Sequence, residues 1–291
     1  MLPFCLSLLL AGADVDDGLA RKMLPLYVKE AEGYSISVES DPKKSLELKK
    51  EPVLAWSNPV RSTTQGAVFV WLREGRPAAL GCIYSHPHQK LPGRVIRHEL
   101  HALDPEKLLV TRDSPNLWQP EAGLVRVELP GAPGPVATPG GRLVQLRKLA
   151  QEFVGHSVDR DMQKWDLRLL PTPLYRYPIA ETGVVDGAVF ALMSGGGTDP
   201  EVLLVIEARA VNGKLRWEYT CGRFSDWDLH VRHKDTEVFT YVAREAERPD
   251  KPRLQLYRIY PEKVVTPEGK LLARFRPTPG GMLQLIPFED K

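Results

Sequence analysis

Residues 175–241 read YRYPIAETGVVDGAVFALMSGGGTDPEVLLVIEARAVNGKLRWEYTCGRFSDWDLHVRHKDTEVFTY. Apolar runs rich in Val, Ile, Leu and Phe are broken here by Gly, Pro and Asp. That is the pattern of short strands joined by turns. A degraded copy lies upstream, from Trp56 to about Val110. Pro59-Val60 aligns with Pro178-Ile179, and Gly66-Ala67-Val68-Phe69 aligns with Gly187-Ala188-Val189-Phe190. The turn Glu74-Gly75-Arg76-Pro77 matches Gly197-Thr198-Asp199-Pro200, and the apolar runs Ala78–Tyr84 and Val202–Ala208 follow. Gly93-Arg94-Val95-Ile96-Arg97-His98-Glu99 then matches Gly213-Lys214-Leu215-Arg216-Trp217-Glu218. Gly66 to Gly93 spans 27 positions and Gly187 to Gly213 spans 26, so one supersecondary unit is used twice.

Each copy reads as a meander. Ala67–Leu72 is a continuous apolar run, too short for a stable helix and rich in Val, Phe and Trp. Such a run suits a strand covered on both faces. The absence of strand–helix alternation favours antiparallel pairing over parallel. The expected fold is mainly β (α+β): two related antiparallel β-meander units with a central packing helix.

Composition narrows the function classes. The chain has 291 residues, 43% hydrophobic and 26% charged, as in an ordinary globular protein. Lys plus Arg is 39 against 37 acidic residues, so the +2 balance carries no electrostatic footprint for nucleic acid. The 26 prolines favour short strands and loops over long helices.

Residues 2–13, LPFCLSLLLAGA, form an apolar run ending in an A-x-A pattern before Asp14 and Asp16. This reads as a secretory signal peptide over residues 1–13, although no Lys or Arg precedes the apolar core. The mature chain is then expected to start near Asp14 and to lie in the periplasm, cell envelope or extracellular space. Nothing else approaches the length of a membrane-spanning helix. Asp17–Glu32 carries Leu19, Met23, Tyr27 and Ala31 at four-residue intervals and predicts a helix, interrupted by Pro25. Together with the first β unit it fills 14–129. A Pro/Gly linker and helix occupy 130–160, with Leu143, Leu146, Ala150, Phe153 and Val154 as the helix's apolar stripe. The second β unit spans 161–243. The charged run Ala243–Pro252 leads into C-terminal strands over 244–291, at Leu254–Tyr260, Leu271–Phe275 and Met282–Ile286.

The chemistry-bearing residues carry few specific signals. Seven histidines include the pairs His86/His88, His98/His101 and His230/His233. The HELH string at 98–101 lacks the i, i+4 spacing of a helical zinc site, and on a strand His98 and His101 point to opposite faces. The alignment places Trp217 and Thr220 where the first copy has His98 and His101. HELH is therefore expected to be structural, with Arg97 and Glu99 on the other, more exposed face, and no metal or cofactor is expected. Cys82 and Cys221 are not at equivalent positions; they either pair or stay as two buried thiols. Gly195-Gly196-Gly197 lacks a following helix N-terminus and so is no phosphate cradle. Gly155-His156-Ser157-Val158-Asp159 brings Ser, His and Asp together only in sequence, which says nothing about a triad. Trp56, Trp71, Trp118, Trp165, Trp217 and Trp227 read as core or edge residues.

The strings WSNPVR, GAVFVW, LRLLPTPLYRY, DGAVFAL and GTDPEVLLVIEAR resemble a family of uncharacterised exported proteins of planctomycete bacteria, over residues 20–243. The resemblance implies export and carries no activity or catalytic residues. Two functions fit the sequence. One is a non-enzymatic binding or scaffolding protein at the cell envelope. The other is an exported hydrolase whose site is assembled from His and acidic residues across the two units. Histidines and carboxylates converging in one deep pocket would favour the second.

Overall fold

The computed structural model describes residues 17–58, 60, 64–113, 117–121, 123–178, 183–194, 196–243, 252–278 and 283–288. The expectations for residues 1–13, Pro59, Ile179 and Gly195 fall outside that range.

The first unit runs α1 (Asp17–Glu32), β1 (Ser35–Val38), β2 (Glu47–Asn58), β3 (Thr64–Arg73), β4 (Arg76–Pro87), β5 (Arg94–Ala102) and β6 (Leu108–Thr111). After β7 (Val127–Glu128), the second unit runs α2 (Pro139–Ala150), β8 (Phe153–Val158), β9 (Lys164–Leu169), β10 (Tyr175–Arg176), β11 (Val184–Ser194), β12 (Pro200–Val211), β13 (Lys214–Arg223), β14 (Asp228–His233) and β15 (Thr236–Tyr241). The chain ends in β16 (Tyr257–Val265), β17 (Leu271–Pro277) and β18 (Leu283–Pro287). One sheet has the order β2-β3-β4-β5-β16-β17-β18. The other has the order β7-β13-β12-β11-β9-β8-β14-β15, with β10 beside β11. Every pairing in both sheets is antiparallel. The fold is mainly β, as its sequence pattern requires.

The repeat is wider than the meander. A helix opens each unit, and the strand after it pairs with the strand that follows the meander: β1 with β6, and β8 with β14. Alternation along the central strands then builds four layers. Ala67, Phe69 and Trp71 of β3 pack with Met23, Tyr27 and Ala31 of α1. Ala188, Phe190 and Leu192 of β11 pack with Leu146, Leu149 and Ala150 of α2. The intervening residues, Val68 and Val70 against Val189, Ala191 and Met193, form the core between the sheets. Each helix thus covers the outer face of its own sheet. Pro25 is tolerated in α1 because it lies on the exposed side.

The second helix is shorter than its apolar stripe. Thr138 caps it by accepting from Gly141 N at 3.2 Å. Phe153 and Val154 leave the helix and begin β8, pairing with His233 and Arg232. The aromatic and β-branched pair takes an extended backbone there, which also buries Phe153.

The paired glycines have one role in both units. A Cβ on Gly66 would come within 2.5 Å of Tyr84 Cβ and 2.9 Å of Trp56 Cε2. A Cβ on Gly187 would meet the Tyr177 ring at 2.4 Å. Each glycine lets an aromatic side chain from the neighbouring strand lie close across the sheet.

The ladder also corrects the alignment further along. Val68 faces Cys82, which faces Glu99; Val189 faces Val205, which faces Thr220. Glu99 therefore corresponds to Thr220, His98 to Tyr219 and His101 to Gly222, two residues from the sequence match. The anchor glycines caused the slip. Gly213 (φ 76) follows Asn212 (φ 51) in a tight two-residue turn, whereas Gly93 ends a longer loop and packs against Leu272.

Candidate functional site

Strand β5 sorts its side chains by alternation. Ile96, His98 and Leu100 face α1, while Arg97, Glu99 and His101 face the second sheet. Neighbouring β16 does the same: Tyr257 and Ile259 turn toward the second sheet, and Tyr260 toward Tyr34 and His98. HELH thus splits between two environments, as strand geometry demands. The face bearing Arg97 and Glu99 is not the exposed one, however; Glu99 is 6% exposed because the second sheet lies over it.

Between β5/β16 and the ends of β13, β14 and β15 lies a cleft of about 1100 Å³. Arg97, His101, Tyr257 and Ile259 of the first sheet line one wall, and Arg223, Asp226, Trp227, Phe239 and Tyr241 line the other. Three smaller cavities adjoin it, and Trp227 borders each of them as well as the cleft. One of these, about 180 Å³, is walled by Trp56, Cys82, Tyr84, Glu99, Asp199 and Asp226.

The charges in the cleft and its side cavity are unusual. Burial pushes the Glu99 carboxyl up to about 8; the Tyr257 hydroxyl, which donates to it, opposes the rise, and Asp226 and Glu201 add to it. Glu99 therefore keeps its proton at neutral pH. Burial likewise pushes His101 down to about 4, so its ring is neutral, with Nδ1–H donating to Ala102 O at 2.8 Å. Its other edge lies against Gly222, where a Cβ would come within 2.9 Å of Nε2. Arg223 is sandwiched between two rings, its guanidinium carbon 3.9 Å from the Tyr241 centroid and 4.0 Å from the Tyr257 centroid. Among the described residues, buried atoms Arg223 Nη1 and Arg97 Nε have no hydrogen-bond partner.

The opposite face of the first sheet holds a second polar cluster. Glu30, His98 and Glu262 bring three potential ligand atoms within 4.8 Å of one another, the spacing of a metal site. Protein cations already serve those carboxylates. Arg112 bonds Glu30 and reaches Glu262 at 2.7 Å, and Lys263 Nζ sits 2.5 Å from Glu30. Two acids thus meet two bases and the cluster is balanced without an ion. Burial outweighs the Glu262 contact and holds His98 below its ordinary value. Its Nδ1 meets the Tyr34 hydroxyl at 2.7 Å, and its ring stacks on Tyr260.

The remaining histidines scatter. His88 Nδ1 accepts from the Lys90 and Leu91 amides in a turn, and His86 borders a side cavity. His230 stacks on His156 at 4.7 Å, across the β14–β8 ladder, and His233 contacts Glu152 at 2.9 Å. Asp159 accepts from Trp165 Nε1 and two turn amides, and Ser157 is buried; the local Ser-His-Asp string is a strand and its turn. Cys82 and Cys221 are separate buried thiols.

The sequence missed Arg223, Tyr241, Tyr257 and Trp227 as a group. Their local signal is the polar, aromatic Ser225-Asp226-Trp227 connection between β13 and β14, buried at Ser225 and half-buried at Asp226 and Trp227. No family model, curated protein or solved structure matches this chain.

Proposed function

We propose that this is a non-enzymatic exported binding protein whose ligand occupies the cleft between the two sheets. The observation that carries the reading is the cleft itself: about 1100 Å³, walled by both units, and rich in aromatic and ionisable side chains. Concave sites of this size with a few convergent polar groups are where small ligands bind. His101 alone lines the cleft and His86 and His88 border its side cavities, while the other four histidines take partners elsewhere, which weighs against a composite His–carboxylate hydrolase site. Export rests on residues 2–13 and on the family resemblance, and an envelope protein with a preformed cleft fits capture of an external solute. The test is native mass spectrometry of protein isolated from its host. A bound small molecule in the wild type, reduced in Trp227→Ala, is expected. Unliganded wild-type protein that also leaves its growth medium's solutes unbound would overturn the reading.

One observation favours a hydrolase as the second reading. Glu99, whose carboxyl is pushed up to about 8 by burial, lines the side cavity of about 180 Å³ together with Asp199 and Asp226, an arrangement suited to donating a proton to a leaving group. If so, Glu99→Gln abolishes turnover and leaves binding intact. Unchanged turnover in that variant would exclude Glu99 from the role.

A further inference from the structure

Several covered arginines in this protein have carboxylate partners. Arg76 and Arg126 bond Glu207, Arg112 bonds Glu30 and Glu262, and Arg142 shares Asp186 with Arg176. Of the three arginines that line the cleft, exposed Arg160 meets Asp226, whereas Arg97 Nε and Arg223 Nη1 have no hydrogen-bond partner among the described residues; Arg126 Nε and Arg209 Nε also lack one but lie beside Glu207 and Glu218. An unmet buried donor costs about 1–3 kcal/mol, and a charged one more. Resting on the cleft reading above, we propose that Arg223 is the anion subsite of the cleft, and that its ligand is an acidic sugar chain docked through a ring carboxylate.

Three features choose that chemistry. The Tyr241 and Tyr257 rings cover both faces of the guanidinium, so a partner approaches it in the plane of the fork, from the cleft that Arg223 lines. A flat carboxylate meets that edge with two parallel N–H···O bonds, whereas a tetrahedral phosphate would project toward the rings. Asp226 and Asp228 line the same cleft, so a singly charged group is repelled less than a dianion. Those carboxylates can accept hydroxyl protons, and protonated Glu99 in the adjoining cavity can donate one, which suits a polyhydroxylated ring. Trp227, half-buried where the cleft and its side cavities meet, offers a stacking face for a neighbouring ring. Serial cavities fit a chain of sugars better than a single one.

The experiment is isothermal titration calorimetry of the full chain with three probes: trigalacturonate, its methyl ester, and inorganic phosphate. Arg223→Gln, Arg223→Lys and Trp227→Ala are compared, with urea midpoints confirming that each is folded. Trigalacturonate is expected to bind at least 10-fold tighter than the ester. Arg223→Gln should erase that preference, and Arg223→Lys should recover only part of it, because lysine lacks the flat fork. Trp227→Ala should weaken acid and ester alike. Equal binding of acid and ester, or an unchanged preference in Arg223→Gln, overturns the carboxylate subsite and leaves the cleft reading standing. Phosphate binding without trigalacturonate binding overturns the sugar assignment. No binding of any probe also overturns this inference, while the ligand found by native mass spectrometry decides the cleft reading separately. If Arg223→Gln does not fold, the acid-to-ester ratio in Arg223→Lys decides.

Discussion

Two regions of this protein occupy matched places in the repeat and do opposite things. Around Gly187 the sheets are joined by charge. Glu207, directly opposite Gly187, accepts from Arg76 twice at 2.8 Å and from Tyr177 at 2.8 Å, with Arg126 at 2.6 Å. Burial alone would raise the Glu207 carboxyl, but Arg126 and Arg76 outweigh it and hold it below its usual range. Around Gly66 the ladder puts Tyr84 in the place of Glu207, Trp56 in that of Tyr177 and Asp199 in that of Arg76. Asp199 turns to Asn58 and Ser194 instead, and a cavity opens beside Tyr84 and Trp56. The backbone is nearly the same. An acid surrounded by two arginines closes one end; at the other end aromatic rings and an acid held by neutral partners border a cavity. A duplicated fold can therefore use one copy of a position as a clamp and the other as a cavity wall.

The largest effect should come from removing the clamp. Glu207→Gln leaves Arg76 and Arg126 without their counter-charge and should cost about 3–5 kcal/mol in urea unfolding. Tyr84→Phe, its match, should cost under about 1 kcal/mol. Equal losses at the two positions would break the comparison.

His98 and Tyr219 form another matched pair. His98→Ala should destabilise the protein by about 2–3 kcal/mol by leaving half-buried Glu262 and buried Tyr34 short of a partner. Metal analysis should find no stoichiometric zinc in the wild type or in His98→Ala/His101→Ala. Zinc present in the former and gone from the latter would convert the outer cluster into a metal centre.

The glycines should respond alike. Gly66→Ala and Gly187→Ala each force an aromatic side chain off its strand, at about 1–3 kcal/mol. A Tm drop in one variant alone would show that the shared glycine does not serve a shared purpose.

The open end should also show in pH dependence. Folded Glu99 holds its proton to about 8, while its ordinary value is 4.5, so the folded state binds the extra proton between those limits. Its contribution is full below 4.5 and declines as pH rises toward 8. His101 has the opposite sign: it stays neutral down to about 4, while an unfolded histidine takes a proton below 6.5. Its contribution is full above 6.5 and falls as the medium is acidified. The two slopes offset one another between 4.5 and 6.5, and only the Glu99 decline remains above that. From pH 6.5 to 8 that decline amounts to about 2 kcal/mol. In Glu99→Gln the alkaline decline should vanish and an acid decline should appear. Parallel pH profiles for wild type and variant would place Glu99 ionised in the fold.

The smallest effect belongs to the rim of the cleft. Arg160 meets Asp226 at 3.0 Å, but its side chain is 82% exposed. Arg160→Ala should change stability by less than about 0.5 kcal/mol, measured by the urea midpoint.

Legibility in the sequence followed the range of the interactions. Apolar runs such as Ala67–Leu72 fixed strands, because a segment covered on both faces must be apolar throughout. The Asp17–Glu32 helix was readable from its four-residue stripe, and the Gly66/Gly187 match revealed the repeat. Those signals are local. The slip that matched Glu99 with Glu218 arose because two glycines of different backbone role look identical in sequence. The helix beginning at Pro139 looked longer than it is, since Phe153 and Val154 continue its apolar stripe while pairing with β14.

By itself, then, the sequence determined the mainly β character, the antiparallel meanders and the opposite facing of His98 and His101, because these follow from side-chain period and turn chemistry. Only the tertiary structure decided that Glu99 is covered, that Arg223 lies between Tyr241 and Tyr257, and that Trp227 stands where the cavities join. These groups come from strands far apart in the chain, and burial, which sets their protonation, is a property of the packed sheets and of no single segment.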